Sequence, residues 1–177
     1  MENIPIEIMH ECGIFLEIYG PEFEKERLES FLMKENNSCA KIDPLLRFFH
    51  MAPLSLGAGG LAKKFKLSNE DKQFLCDYEK AVALPMFTDI AGVKRFIYRH
   101  GKRVTLAAAV SGGEKIYHCA AEICANWPIP KMPVGGKDLL SLGYKPGPEM
   151  GARLDGLEAL WLASDFSMSK EQLLAEL

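Results

Sequence analysis

Nowhere does this 177-residue chain sustain the strict apolar–polar alternation that a half-buried strand requires. Its apolar residues return at helical spacing instead, in short runs cut by glycine and proline. The clearest cut is Trp127-Pro128-Ile129-Pro130-Lys131-Met132-Pro133, where three prolines in seven residues forbid a helix. Beyond it, residues 135–151 read as a short helix, a tight Pro146-Gly147-Pro148 turn and a second helix. Gly143 follows Leu139, Leu140 and Leu142, where a helix end favours positive φ. Pro148 suits a first helical position, because the N–H it lacks has no intrahelical partner there. Met150, Leu154, Leu157, Leu160 and Trp161 continue at helical spacing.

The same punctuation divides the rest of the chain. Ile6, Met9, His10 and Gly13 begin a segment that is expected to end at or just beyond Gly13. Phe23 to Met33 follows, and Asp43-Pro44 reads as cap plus first position of a helix carrying Leu45, Leu46, Phe48 and Phe49. Ala58 to Phe65 forms a short helix, and Ser68 caps one bearing Phe74, Leu75, Tyr78 and Val82 that ends before Pro85. Asp89 to His100 is closed by Gly101, Val104 to Val110 by Ser111-Gly112-Gly113, and Glu114 to Asn126 runs up to the prolines. Ser169 and Gln172 form a capping box near the end. The expectation is an all-α fold: an irregular array of about ten short helices with a C-terminal helix–turn–helix pair.

Hydrophobic residues at 48% and charged residues at 25% place the chain among globular rather than disordered sequences. No apolar stretch reaches the length of a membrane span, and Met1 to Pro5 lack the regions of a signal peptide, so a cytoplasmic location without membrane contact is expected. Five scattered cysteines without a C-x-x-C favour reduced thiols over a disulfide framework or a zinc site. His10, His50, His100 and His118 are dispersed and lack ligand spacing, so no metal site is expected. Trp127 and Trp161 read as core anchors, with Trp127 partly exposed.

The net charge of −3 conceals a segregation. Residues 1–40 carry 3 basic and 9 acidic groups, residues 41–137 carry 15 and 8, and residues 138–177 carry 3 and 7. A basic middle suits a polyanion-binding surface. Its densest part is Lys94, Arg95, Arg99, Lys102 and Arg103, with no acid among them; Arg95 and Arg99 share a helix face. Lys63, Lys64 and Lys66 form a second group, and Lys131, Lys137 and Lys145 a third. The first cluster, with Lys63, Lys64, Lys137 and Lys145, supplies the candidate RNA-contacting residues, since basic groups give sequence-independent affinity for phosphates. The competing reading of residues 94–103 is a solvated helix end whose cations complement the dipole. The Pro-Gly-Pro turn is a poorer phosphate cradle: Pro148 removes a donor and Glu149 places negative charge in the first turn.

Residues 135–151, continued through Leu157-Glu158-Ala159-Leu160-Trp161 and Asp165 to Leu174, resemble the C-terminal end of bacterial class II tRNA nucleotidyltransferases, the CCA-adding enzyme and poly(A) polymerase family. Met9 to Phe15, Asp43 to Phe48, Leu67 to Glu70 and Arg95 to Gly101 also resemble segments of that family, in collinear order. The resemblance implies that residues 1–40 are the end of the neck and entry to the body, 41–127 a helical body with a basic surface, 128–133 a Pro-rich linker and 134–177 the tail. In that family these parts hold the acceptor and T-arm of tRNA while an N-terminal head adds nucleotides. The head's Gly-Gly-x-x-Arg-Asp-type loop and paired aspartates have no counterpart: Leu61-Ala62-Lys63 follows Gly59-Gly60, and no D-x-D occurs.

By resemblance the chain looks like part of a transferase, without catalytic residues of its own. Magnesium and CTP or ATP would belong to the head. Glu26-Arg27-Leu28-Glu29 is read as a solvated helix face rather than as the neck's nucleobase-reading motif. The alternative function is an interaction subunit or self-associating remnant: the apolar segment Ile4–Ile18 would dock a separate head or a second copy.

Overall fold

The computed structural model describes residues 8, 9, 11–20, 25–38 and 43–177. Among them lie ten α-helices and no strand, so the all-α expectation holds. The helices are α1 (Ile14–Tyr19), α2 (Lys25–Ser38), α3 (Pro44–Met51), α4 (Gly57–Lys64), α5 (Asn69–Val82), α6 (Ile90–Ala109), α7 (Glu114–Asn126), α8 (Gly136–Ser141), α9 (Pro148–Ala163) and α10 (Lys170–Leu174). Short 3-10 turns precede α4 at Leu54–Leu56 and follow α6 at Val110–Gly112. Among the described residues, no helix is long and apolar enough to cross a membrane.

Several starts follow from the capping residues. Asp43 Oδ1 accepts the Leu45 N–H at 3.1 Å, and Ser68 Oγ accepts that of Asp71 at 3.0 Å, so α3 and α5 begin where the sequence puts them. Each such cap contributes about 1 kcal/mol. Ser169 and Gln172 cap each other at α10. At the end of α8, the Tyr144 N–H reaches Leu139 O at 3.1 Å and the Gly143 N–H reaches Leu140 O at 3.0 Å, the double bond of a left-handed helix termination. Helix α1 was not expected. Gly13, read as a terminator, has φ +72 and stands directly before a new turn of helix that buries Phe15 and Tyr19. Ile6 and His10 of that expected segment lie outside the described residues.

Three apolar clusters hold these helices. The largest joins α1 to α5 and the second half of α6 around Phe15, Phe31, Leu46, Phe49, Leu61, Leu75 and Tyr78. A second packs α6 on α7 through Val93, Ile97, Ala109, Ala120 and Cys124, with Phe87 of the preceding loop. The third closes α8, α9 and α10 on Val134, Leu139, Leu157, Trp161 and Leu173. Trp161 is thus a core residue, whereas Trp127 is half-buried and its ring lies 5.2 Å from that of Phe166.

Glu26 to Glu29 is not a wholly solvated face. Leu28 is buried, and Arg27 donates to Ala52 O at 2.7 Å with its guanidinium 4.8 Å from the Phe49 ring. The bonds of Arg27 lie across the α2–α3 interface, where only the tertiary fold brings a carbonyl and a ring within reach. Buried Glu35 and exposed Arg47 form a two-pronged ion pair across the same interface.

Candidate nucleic-acid interface

Helix α6 carries the densest run of positive charge, and its geometry divides that run three ways. Lys94 and Tyr98, one turn apart, face the C-terminal helices. The Lys94 ammonium pairs with Asp165 at 3.0 Å and lies 5.9 Å from the Trp127 ring. The Tyr98 hydroxyl donates to Glu158 at 2.7 Å, and its ring meets that of Trp161 edge-on at 5.7 Å. Burial, and then the Glu158 carboxylate, push the Tyr98 hydroxyl up to about 12, so it remains a donor. These contacts seat the third cluster against α6.

Arg95 and Arg99 occupy a different face. Together they line a groove of about 310 Å³ whose other walls are Leu84, Pro85, Phe87, Phe96 and His100. Among the described residues neither arginine is in an ion pair. The Phe96 ring lies 5.2 Å from Phe87 and 4.6 Å from His100, so the floor is aromatic. Burial, with the charge of Arg99, holds His100 below its ordinary value, which keeps the imidazole neutral at pH 7.

The loop wall of this groove is positioned by Asp89 and Gly92. Asp89 Oδ1 accepts the Gly92 N–H at 2.6 Å and starts α6. A Cβ at position 92 would stand 2.8 Å from that oxygen and 3.0 Å from Phe87 Cβ, so only glycine permits the loop to lie so close. Asp89 was legible as a helix start; Leu84, Pro85 and Phe87 as groove walls were not, because nothing local marks a loop that folds back over the following helix.

Lys102 and Arg103 are separated from Arg95 and Arg99 by Gly101, whose φ of +78 and ψ of +165 break the helix. This is the closure the sequence predicts. It also removes the continuous basic face that residues 94–103 suggest. The Arg103 guanidinium lies 3.9 Å from the Phe74 ring and is surrounded by Asp43 at 2.6 Å, Asp71 at 3.6 Å and Glu70 at 3.9 Å. Its charge is matched inside the protein. Lys102 is half-buried, with its carbonyl oxygen 3.9 Å from Cys124 Sγ.

The remaining lysines do not line the groove. Lys63 and Lys64 are exposed in the last turn of α4, the Lys64 ammonium 5.9 Å from the Tyr19 ring. Lys66, Lys131, Lys137 and Lys145 are exposed at separate places. Near Gly59-Gly60, the Glu79 carboxylate lies 3.3 Å from the Ala58 N–H at the start of α4 and supplies an internal negative charge where a bound phosphate would otherwise sit. Cys12, Cys76, Cys119 and Cys124 are free thiols, and burial pushes that of Cys124 up.

No protein-family model matches the chain. CCA tRNA nucleotidyltransferase 1, mitochondrial, of Danio rerio is 47% identical over 52 residues, 29% of this chain and 12% of that protein. The protein of the same description from Homo sapiens is 38% identical over 58 residues, 33% of this chain and 13% of that protein. The matched segment thus spans about an eighth of these relatives, and it relates the chain to tRNA nucleotidyltransferases over roughly a third of its length.

Proposed function

We propose that this chain is the tRNA-holding C-terminal portion of a tRNA nucleotidyltransferase, serving CCA addition without performing the chemistry itself. The observation that carries the RNA-binding part is the pairing of Arg95 and Arg99 in one aromatic-floored groove, without ion-pair partners among the described residues. Two unmatched guanidiniums about one helical turn apart suit successive phosphates of an RNA backbone, and duplex RNA is gripped chiefly by shape and backbone. The likeness to CCA tRNA nucleotidyltransferase 1 supports tRNA as that RNA. In this reading the acceptor and T-arm lie along α6, with exposed Lys63, Lys64, Lys137 and Lys145 as outlying contacts and Arg103 as a structural residue. Magnesium and CTP or ATP act on a separate catalytic head.

The test is binding of a tRNA acceptor–T-arm minihelix measured across a salt series. The double variant Arg95→Ala/Arg99→Ala is expected to reduce the slope of log affinity against log salt by about two, the share of two phosphate contacts. Arg103→Ala, provided it stays folded, is expected to leave the slope unchanged. An unchanged slope in the double variant would remove the groove from the RNA interface.

A second reading is favoured by Ile8, Leu16 and Met33, which are 51%, 59% and 66% exposed. These apolar side chains suit the docking of a separate head or a second copy. Mixing the chain with a head–neck fragment and assaying CTP and ATP incorporation tests it, and absence of restored activity, with a monomeric mass in solution, would set this reading aside.

A further inference from the structure

The Arg95–Arg99 groove offers more than two cations. Duplex phosphates ask only for guanidiniums on a surface, and such contacts leave an apolar recess unfilled. Here the recess is built into the fold. Residues 84–87 come down on α6 at Gly92, where a Cβ would stand 3.0 Å from Phe87 Cβ. Loop and helix together enclose about 310 Å³. Pockets that take small ligands begin at roughly 300 Å³.

Two kinds of surface line the space. Leu84 and Pro85 are exposed and Phe96 and His100 half-buried, so apolar and aromatic groups face the solvent there. Leu84 is a large apolar side chain 48% exposed at this wall. The Phe96 ring meets Phe87 at 66° and His100 at 45°, so neither neighbour covers it as a parallel stack. Half-buried Arg95 and exposed Arg99 supply the charge, and no carboxylate is among the lining groups. The carboxylate whose charge reaches His100 is that of Asp77, which accepts from the Gln73 amide at 2.9 Å and lies outside the lining. The neutral His100 imidazole has one donor and one acceptor nitrogen.

An apolar chain in this groove would leave both guanidiniums unmatched, and a bare phosphate would leave the rings uncovered. The ligand that answers both is flat and aromatic, hydrogen-bonds at its edge and is joined to phosphates. We infer that the groove receives one unstacked nucleotide of the RNA, its base against Phe96, His100 and Leu84 and its flanking phosphates on Arg95 and Arg99. This rests on the groove being part of the RNA interface, and it adds which nucleotide is gripped. Bases of a duplex are stacked out of reach, so the occupant is an unpaired nucleotide in a loop or at a single-stranded end.

Fluorescence anisotropy with the full chain tests it, using the acceptor–T-arm minihelix with its unpaired nucleotides made abasic one at a time. One abasic position is expected to weaken binding about tenfold, the share of one base stacked on a ring. The salt slope is expected to stay as it is, because the phosphates remain. Phe96→Leu is expected to weaken the intact minihelix about fivefold and to leave that abasic one unchanged. His100→Leu repeats the cycle at the second ring, so the result does not hang on how well the fold bears the loss of Phe96. No abasic position coupled to either ring variant would overturn the inference. In that case a lower salt slope in Arg95→Ala/Arg99→Ala would leave a groove that grips the backbone alone, and an unchanged slope would remove the groove itself from the interface. Adenosine 5′-monophosphate that displaces the minihelix at equal affinity would also overturn it, in favour of a free nucleotide.

Discussion

His50 and Arg103 show how much a single side chain depends on what surrounds it. Folding holds the His50 imidazole neutral, because a charged ring beside Arg27, Lys34 and Phe31 is desolvated and repelled. Its value of about 3 lies below that of the unfolded chain, so between roughly pH 6.5 and 3 the unfolded state binds the extra proton. The His50 contribution is therefore complete above the ordinary histidine value and is lost as pH falls through that window. Urea midpoints of the parent are expected to fall across it more steeply than those of His50→Gln, which has no such group to titrate. Arg103→Ala removes a cation from beside Phe74 and leaves Asp43, Asp71 and Glu70 facing one another, and is expected to cost about 1–2 kcal/mol of stability in chemical denaturation. Sequence spacing placed Arg103 in a binding patch. Its true partners could not be read there, because Asp43 lies 60 positions away.

At the scale of the element, local chemistry is far more legible. Asp43, Ser68, Asp89 and Ser169 cap the helices whose starts they mark, because a cap bonds an N–H two or three residues on and needs nothing distant. Gly101 breaks α6 where the pattern of residues says it does. Nothing stands within 4 Å of a Cβ built there, so Gly101→Ala is a test of backbone strain alone, expected to cost about 1–2 kcal/mol in thermal or chemical unfolding. At Gly13 the expected end holds, since Ile8, Met9 and Glu11 are helical and Cys12-Gly13 form a turn, but a new helix follows at once. The same left-handed residue closes one segment and precedes another, and the continuation falls to Phe15 and Tyr19, which are buried in the new helix.

Across the whole molecule, α6 is the element on which the others converge. One face takes the C-terminal helices through Lys94 and Tyr98, the other presents Arg95 and Arg99, and the segment beyond Gly101 enters the main core through Val104 and Ala107. Tyr98→Phe keeps the ring contacts and deletes the bond to Glu158. It is expected to weaken docking of the C-terminal helices by about 1 kcal/mol, seen as faster amide exchange in α9 ahead of α7. By itself, the sequence determined the helical class, most helix boundaries and the location of the basic run, since periodicity, caps and chain breakers act over a few residues. Only the tertiary structure decided which cations remain available to a ligand. Asp165 meets Lys94 across 71 positions and Asp43 meets Arg103 across 60, and a charge is free or spent according to partners that packing, not spacing, brings to it.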